Sequence, residues 1–270
     1  MNPSSYDEEL DFARRFALDA GRQVLATVAR GNRVHVKADD TPVTTADRLV
    51  NARFIDEVGA RFPGDAVLGE EASRATGSSR VWVVDPVDGT QQLILAIPVF
   101  MVSIALVHEG RPVVAAAANP CTGEVYWALA GGGAHRDGTR LRVSARDGTA
   151  EPAVVCASGA VPTPGDLNAD TLLRVGARPH RAAPVRFPWP TVFSGCKVAE
   201  GAWDGDLYSG RSPHDVAAVC LLVREAGGAV TDRRGADQRY DAPVDGCIAS
   251  NGLVHDDLVQ RWTATYLPRR

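Results

Sequence analysis

Residues Trp82 to Thr90 read W-V-V-D-P-V-D-G-T. An apolar strand runs into two carboxylates, Asp85 and Asp88, with Pro86 between them and Gly89-Thr90 just after. A strand delivers side chains rigidly and to alternate faces. A proline inside it interrupts the ladder, so Asp85 and Asp88 need not point to opposite sides. Two carboxylates converging beside the N–H groups of a Gly-Thr turn suit a hard cation next to an anion. The alternative for Asp85-Pro86 taken alone is an ordinary turn.

Working outward, residues 6–29 have an apolar stripe at helical spacing (Ala13, Phe16, Ala17, Ala20, Val24), ended by Gly31-Asn32. A second helix is expected from Thr44–Asp47 to Pro63-Gly64. Strand-like runs follow at Ala66–Leu68, Val81–Val84, Met101–Val107, Val113–Ala118 and Glu124–Leu129, with Gly or Pro in the turns. After Gly148 the pattern alternates. Strands are expected at 153–157, 206–208, 229–231 and 247–249, with helices at 166–175, 190–202, 213–226 and 255–266. We expect two closely packed parts: an α+β part over 1–148 and an α/β part over 149–270.

The bulk properties exclude several classes. The 270-residue chain is 45% hydrophobic and carries a net charge of −4, so neither a nucleic-acid polymer nor an anionic membrane is an expected partner. Phosphate would have to be attracted locally, by cations or backbone N–H groups. Five scattered cysteines without a C-x-x-C pair argue against a disulfide framework or zinc site and for a reducing, cytoplasmic setting. The opening M-N-P-S-S-Y-D-E-E lacks the basic and apolar regions of a signal peptide. No run approaches the roughly 18 apolar residues of a membrane helix.

Further carboxylates sit at fixed points: Asp47 in T-P-V-T-T-A-D, Glu70-Glu71 in L-G-E-E, and Asp215 in S-P-H-D-V-A-A. Each has a plain explanation. Asp47 and Asp215 suit helix first turns through the macrodipole, and Glu70-Glu71 suits a solvated surface.

Together, in order, these stretches resemble the inositol monophosphatase-like superfamily, which includes histidinol-phosphate, fructose-bisphosphate and 3′-phosphonucleotide phosphatases. The resemblance rests on K-A-D-D-T-P-V-T-T-A-D (37–47), L-G-E-E (68–71), W-V-V-D-P-V-D-G-T (82–90) and W-D-G-D…H-D-V-A-A…E-A-G-G (203–228), and spans nearly the whole chain. It implies a layered αβαβα sandwich, a homodimer, and hydrolysis of a small phosphorylated alcohol with two or three Mg²⁺. By that resemblance Glu70, Asp85, Asp88, Asp215 and the Val87 carbonyl hold the cations. Thr90 and Asp47 activate the attacking water together with Glu70's cation, and Gly89 and Thr90 N–H groups grip the phosphate. The donor chemistry agrees: oxygen ligands without Cys or clustered His favour Mg²⁺ over zinc.

Two rivals were weighed. Haloacid-dehalogenase-like phosphatases also end a strand in Asp and D-G-T, but their aspartates stand two apart, where this chain has three with a proline inside. The second is a catalytically weak member that binds a phosphorylated metabolite as a sensor. It is raised by departures on the substrate side: Gln91-Gln92-Leu93 after D-G-T, Trp189-Pro190 before a helix, Tyr208 where relatives often carry a carboxylate, and His214 where tryptophan is usual. Since the cation-holding set is intact, an altered substrate preference is the expected reading. Trp189, Tyr208 and Asp215 are the candidate substrate contacts. Trp189 is read either as a stacking platform or as core filling. Arg186 and Arg211 are further candidate phosphate contacts.

Overall fold

The structure is a computed structural model that describes residues 6–38, 41–150, 153–158 and 189–266. The expected helix at 166–175 and Arg186 lie outside the described residues. Helix α1 (Asp7–Ala29) opens on Asp7, Glu8 and Glu9, whose charges complement the helix N-terminus. A hairpin of β1 (Val34–Val36) and β2 (Pro42–Thr44) leads into α2 (Thr45–Arg61). Next come β3 (Ala66–Gly69), β4 (Arg80–Asp88), a short α3 (Thr90–Ile94), β5 (Met101–His108), β6 (Arg111–Ala118), β7 (Val125–Leu129), β8 (Gly133–Arg136) and β9 (Thr139–Arg140). Strands β3 to β9 lie side by side in one seven-stranded sheet, antiparallel except for β3 on β4.

The period of two in this sheet builds two cores. Trp82 and Val84 of β4, with Val102, Ile104 and Leu106 of β5, face α1 and α2. There the rings of Phe12, Phe16, Phe54 and Trp82 pack edge-on or tilted at 4.8–6.1 Å. Val83, Met101, Ala105 and Val107 face the other way, onto α4 (Thr191–Ala199) and α5 (Ala217–Glu225). Beyond those helices lies a second sheet in the order β10 (Val155–Ser158), β11 (Gly205–Tyr208), β13 (Cys247–Ser250), β12 (Ala229–Thr231). Its outer face is covered by α6 (His255–Tyr266), with Leu258 and Trp262 on Val155, Leu207 and Ile248. The stack is therefore helix, sheet, helix, sheet, helix, as the fold class required. No helix is long and apolar enough to cross a membrane.

Three local features correct or add to these expectations. Pro86 does not end its strand: β4 continues to Asp88. Its partner β3 stops at Gly69 opposite Val84, so the missing N–H of Pro86 falls on an unpaired edge. Second, the chain over 213–226 is not one helix. A 3₁₀ turn (Pro213–Asp215) is separated from α5 by Val216, whose φ of −129° is not helical. Third, the C-terminal sheet is mixed, with β10 and β11 parallel but β13 antiparallel to both β11 and β12. Strand β8, within residues 131–138, and β9, just after them, were not foreseen.

Candidate active site

The decisive geometry is the bulge in β4. Asp85 pairs with Ser103 and Asp88 with Met101, so β4 carries one more residue than β5 between those pairs. The extra residue cancels the face change that strict alternation would impose. Asp85, Asp88 and Asp215 thereby bring carboxylate oxygens within 4.8 Å of one another, although Asp215 comes from the far side of the chain. Glu70, Asp85 and His214 form a second such group, and Asp47, Glu70 and Glu71 a third.

Each member is held by its element. Asp85 Oδ1 accepts the Val87 N–H at 2.9 Å, closing a turn across Pro86. Asp88 accepts the N–H of Thr191 at 3.1 Å on one oxygen and of Val192 at 2.8 Å on the other, so it caps the N-terminus of α4. Asp47, in the first turn of α2, accepts the Thr44 N–H at 2.9 Å and the Thr44 hydroxyl on Oδ2. Its Oδ1 lies 3.2 Å from Thr90 Oγ1, which is also 3.1 Å from the Val87 carbonyl. One turn further along α2, Asn51 accepts the Glu71 N–H and donates to the Ala72 carbonyl, fixing the turn that carries Glu70. Lys37 pairs with Glu70 at 2.8 Å and Glu71 at 2.5 Å. Tyr208 donates its hydroxyl proton to Asp215 Oδ2.

The electrostatics point one way. Burial pushes the Asp85 carboxyl well above the usual carboxylate range, and Glu70, Asp88 and Asp215 push it further. Burial and then Asp215 do the same to Asp88, opposed by the N–H groups at the start of α4. Asp215 is raised by burial, with His214 and the Tyr208 hydroxyl pulling back. Burial raises Asp47 against the hydrogen bonds from Thr44. Burial alone would lower Lys37, yet its bonds to Glu70 and Glu71 win and hold it firmly charged. Two like charges about 4 Å apart repel by about 4 kcal/mol at an effective dielectric of about 20. Lys37 is committed to Glu70 and Glu71, so the buried aspartates call for added positive charge. An all-oxygen set around Asp85, Asp88 and Asp215 fits a hard divalent cation.

Glu70, Asp88 and Asp215 form one wall of a cavity of about 450 Å³. Gly89, Thr90, Gln91, Gln92, Trp189, Pro190 and Tyr208 complete most of the rest. Gly89 is left-handed (φ 99°), and a Cβ there would come within 2.7 Å of Pro190 Cγ. Glycine thus lets the turn after β4 meet the entry to α4. Trp189 is half-buried and lines the cavity, its ring stacked on Phe193 at 5.3 Å and 14°. Arg211 is exposed and does not line this cavity. Sequence reasoning left Glu71 out of the cation-holding set, and placed His214 near the site without counting it as a donor. The signal for His214 was its place beside Asp215.

Comparison with known proteins gives the same picture. The sequence pattern of the Inositol monophosphatase family matches residues 5–266. A histidinol-phosphatase of Chlorobaculum parvum is 32% identical over 254 residues, covering 93% of this chain and 95% of that protein. An inositol-1-monophosphatase of Mesorhizobium japonicum is 33% identical, covering 90% and 92%. The solved structure of a Thermotoga maritima IMPase superposes with a TM-score of 0.83 at 28% identity, over 96% of this chain and 98% of that one. A match over nearly every residue, in sequence and in fold, makes the chain a member of the inositol monophosphatase family.

Proposed function

We propose that this protein is a Mg²⁺-dependent phosphoric monoester hydrolase acting on a small phosphorylated alcohol. The observation that carries the reading is the meeting of Asp85, Asp88 and Asp215 at the wall of the cavity, with the Thr90–Asp47 pair beside them. Glu70, Asp85, the Val87 carbonyl, Asp88 and Asp215 are the residues that would hold the cations. When bound there, Mg²⁺ ions supply Lewis acidity, easing ionisation of water and offsetting charge on the phosphoryl and leaving oxygens.

The chain's own groups do the rest. Thr90 Oγ1 orients the attacking water and Asp47 accepts the threonine proton. Burial of Asp47 makes its carboxylate the stronger base. Glu70, beside this pair, is both ligand and positioning group for the water. Gly89 and Thr90 present backbone N–H groups to the phosphate, and Lys37 holds Glu70 in place through their 2.8 Å ion pair. Trp189 and Gln91 are offered to the alcohol. No covalent phosphoenzyme is needed. Relatives named for histidinol and inositol phosphates set the range of leaving groups to try.

The test is phosphate release from inositol 1-phosphate, histidinol phosphate, fructose 1,6-bisphosphate and nucleoside 3′-phosphates, with Mg²⁺ and with EDTA. Release that depends on Mg²⁺ is expected for at least one class. Silence on all, or release indifferent to EDTA, rejects the reading; binding without turnover would leave a sensor.

A further inference from the structure

Tyr208 was expected to line the pocket for substrate. Its hydrogen bonds give it different work. The ring stands at the end of β11, in the middle of the second sheet, paired with Ser158 on one side and Cys247 on the other. It is 6% exposed. Its hydroxyl proton is spent on Asp215 Oδ2, and its oxygen accepts the Ser212 N–H at 3.2 Å. The phenol therefore has no proton left to give a substrate oxygen.

The segment after β11 is shaped around this phenol. A Cβ on Gly210 would lie 2.1 Å from the Tyr208 hydroxyl oxygen and 2.3 Å from Cζ, so no larger residue fits while the ring holds this place. The same segment is pinned from outside: Gly246 N–H bonds to the Gly210 carbonyl and Val244 N–H to the Arg211 carbonyl. Asp215 needs such support. It lies in a single 3₁₀ turn cut off from α5 by the non-helical Val216, so no continuing helix fixes its side chain.

We infer that Tyr208, seated by Gly210, is a positioning residue that aims the Asp215 carboxylate at the cation site. The inference rests on the reading of Asp215 as a cation ligand. A hydrogen bond to the oxygen turned away from a cation orients a ligand and tunes its basicity, and losing such a partner typically weakens binding about 10–100-fold.

The experiment is Mn²⁺ titration of the full-length protein by electron paramagnetic resonance, with Mn²⁺ as the paramagnetic stand-in for Mg²⁺. Tyr208→Phe keeps the ring and removes the hydroxyl. It is expected to weaken, by at least about tenfold, the same ion that Asp215→Asn loses. Gly210→Ala, which displaces the phenol without touching its chemistry, is expected to do the same. At saturating Mn²⁺ the KM of Tyr208→Phe for the best substrate of the panel should match that of the parent protein. Wild-type Mn²⁺ affinity in Tyr208→Phe overturns the inference, as does a raised KM with Mn²⁺ binding intact, which would make the phenol a substrate contact. Parent protein that takes up no Mn²⁺ instead removes the proposed function beneath it.

Discussion

Asp47 and Asp88 both meet a helix start, Asp47 within its own helix and Asp88 from the end of a strand far away in the chain, and they are built into the molecule differently. Asp47 spends one oxygen on Thr44 and turns the other to Thr90. Asp47→Asn should cut kcat by about 100-fold or more, the usual worth of a general base, while Mn²⁺ still binds; loss of Mn²⁺ together with kcat would contradict the division of labour. Asp88 uses both oxygens on α4. Asp88→Asn should abolish turnover and, with Mg²⁺ present, also cost about 1 kcal/mol of stability, the worth of one hydrogen bond, because an amide offers one acceptor where the carboxylate offers two. Urea titration measures the second effect, and an unchanged rate would refute the first. At this scale the sequence was largely readable, since the ordered acidic motifs name most of the cluster. The cluster's internal bonds were not readable: Asn51 reaches the Glu71 turn from another element, and Tyr208 meets Asp215 seven residues on only because an irregular segment folds back between them.

Among the elements, long regular ones were legible and the irregular joints were not. Helix α1 follows from its apolar stripe at helical spacing, and strands β4 to β6, buried on both faces, from short apolar runs between Gly- and Pro-containing turns. The β4 bulge and the break at Val216 each add or remove part of a turn, and periodicity is blind to a single residue's dihedral. Another joint carries a pH dependence. His255, at the start of α6, bridges Ser250 of β13 at 2.8 Å and Thr231 of β12 at 3.0 Å. Burial lowers its pKa below the ordinary 6.5, with Arg224 adding to the effect and Asp256 opposing it. The folded state thus prefers the neutral ring, and the unfolded chain takes up the proton first as pH falls. This part of the stability is complete above about pH 6.5 and is lost as pH drops below it. Melting temperature between pH 7.5 and 5.5 should fall more steeply in the parent protein than in His255→Gln; parallel curves would rule out this origin.

For the molecule as a whole, the unbalanced charge of the buried carboxylates predicts that a divalent cation stabilises the fold. Asp85 and Asp88 are buried, and Asp215 stands against them. An ion that binds the folded chain at about 100 times its Kd adds about 2.7 kcal/mol, worth several degrees for a chain of this size. Mg²⁺ should therefore raise the melting temperature over that in EDTA, and Asp215→Asn should reduce the rise. No difference in calorimetry would mean that the carboxylates stay protonated and hold no ion. The division into an α+β and an α/β part was legible from the order of elements and the five-layer stack from the resemblance alone, whereas the mixed direction of the second sheet was not, because strand direction depends on pairing partners.

Since one side chain of the first sheet grips the leading end of α4, that helix is geared to the catalytic centre. Re-angling it to admit a bulkier substrate would drag the Asp88 carboxylate along. A redesign of selectivity is thereby confined to exchanging side chains such as Gln91 and Trp189 on a backbone that has to stay where it is.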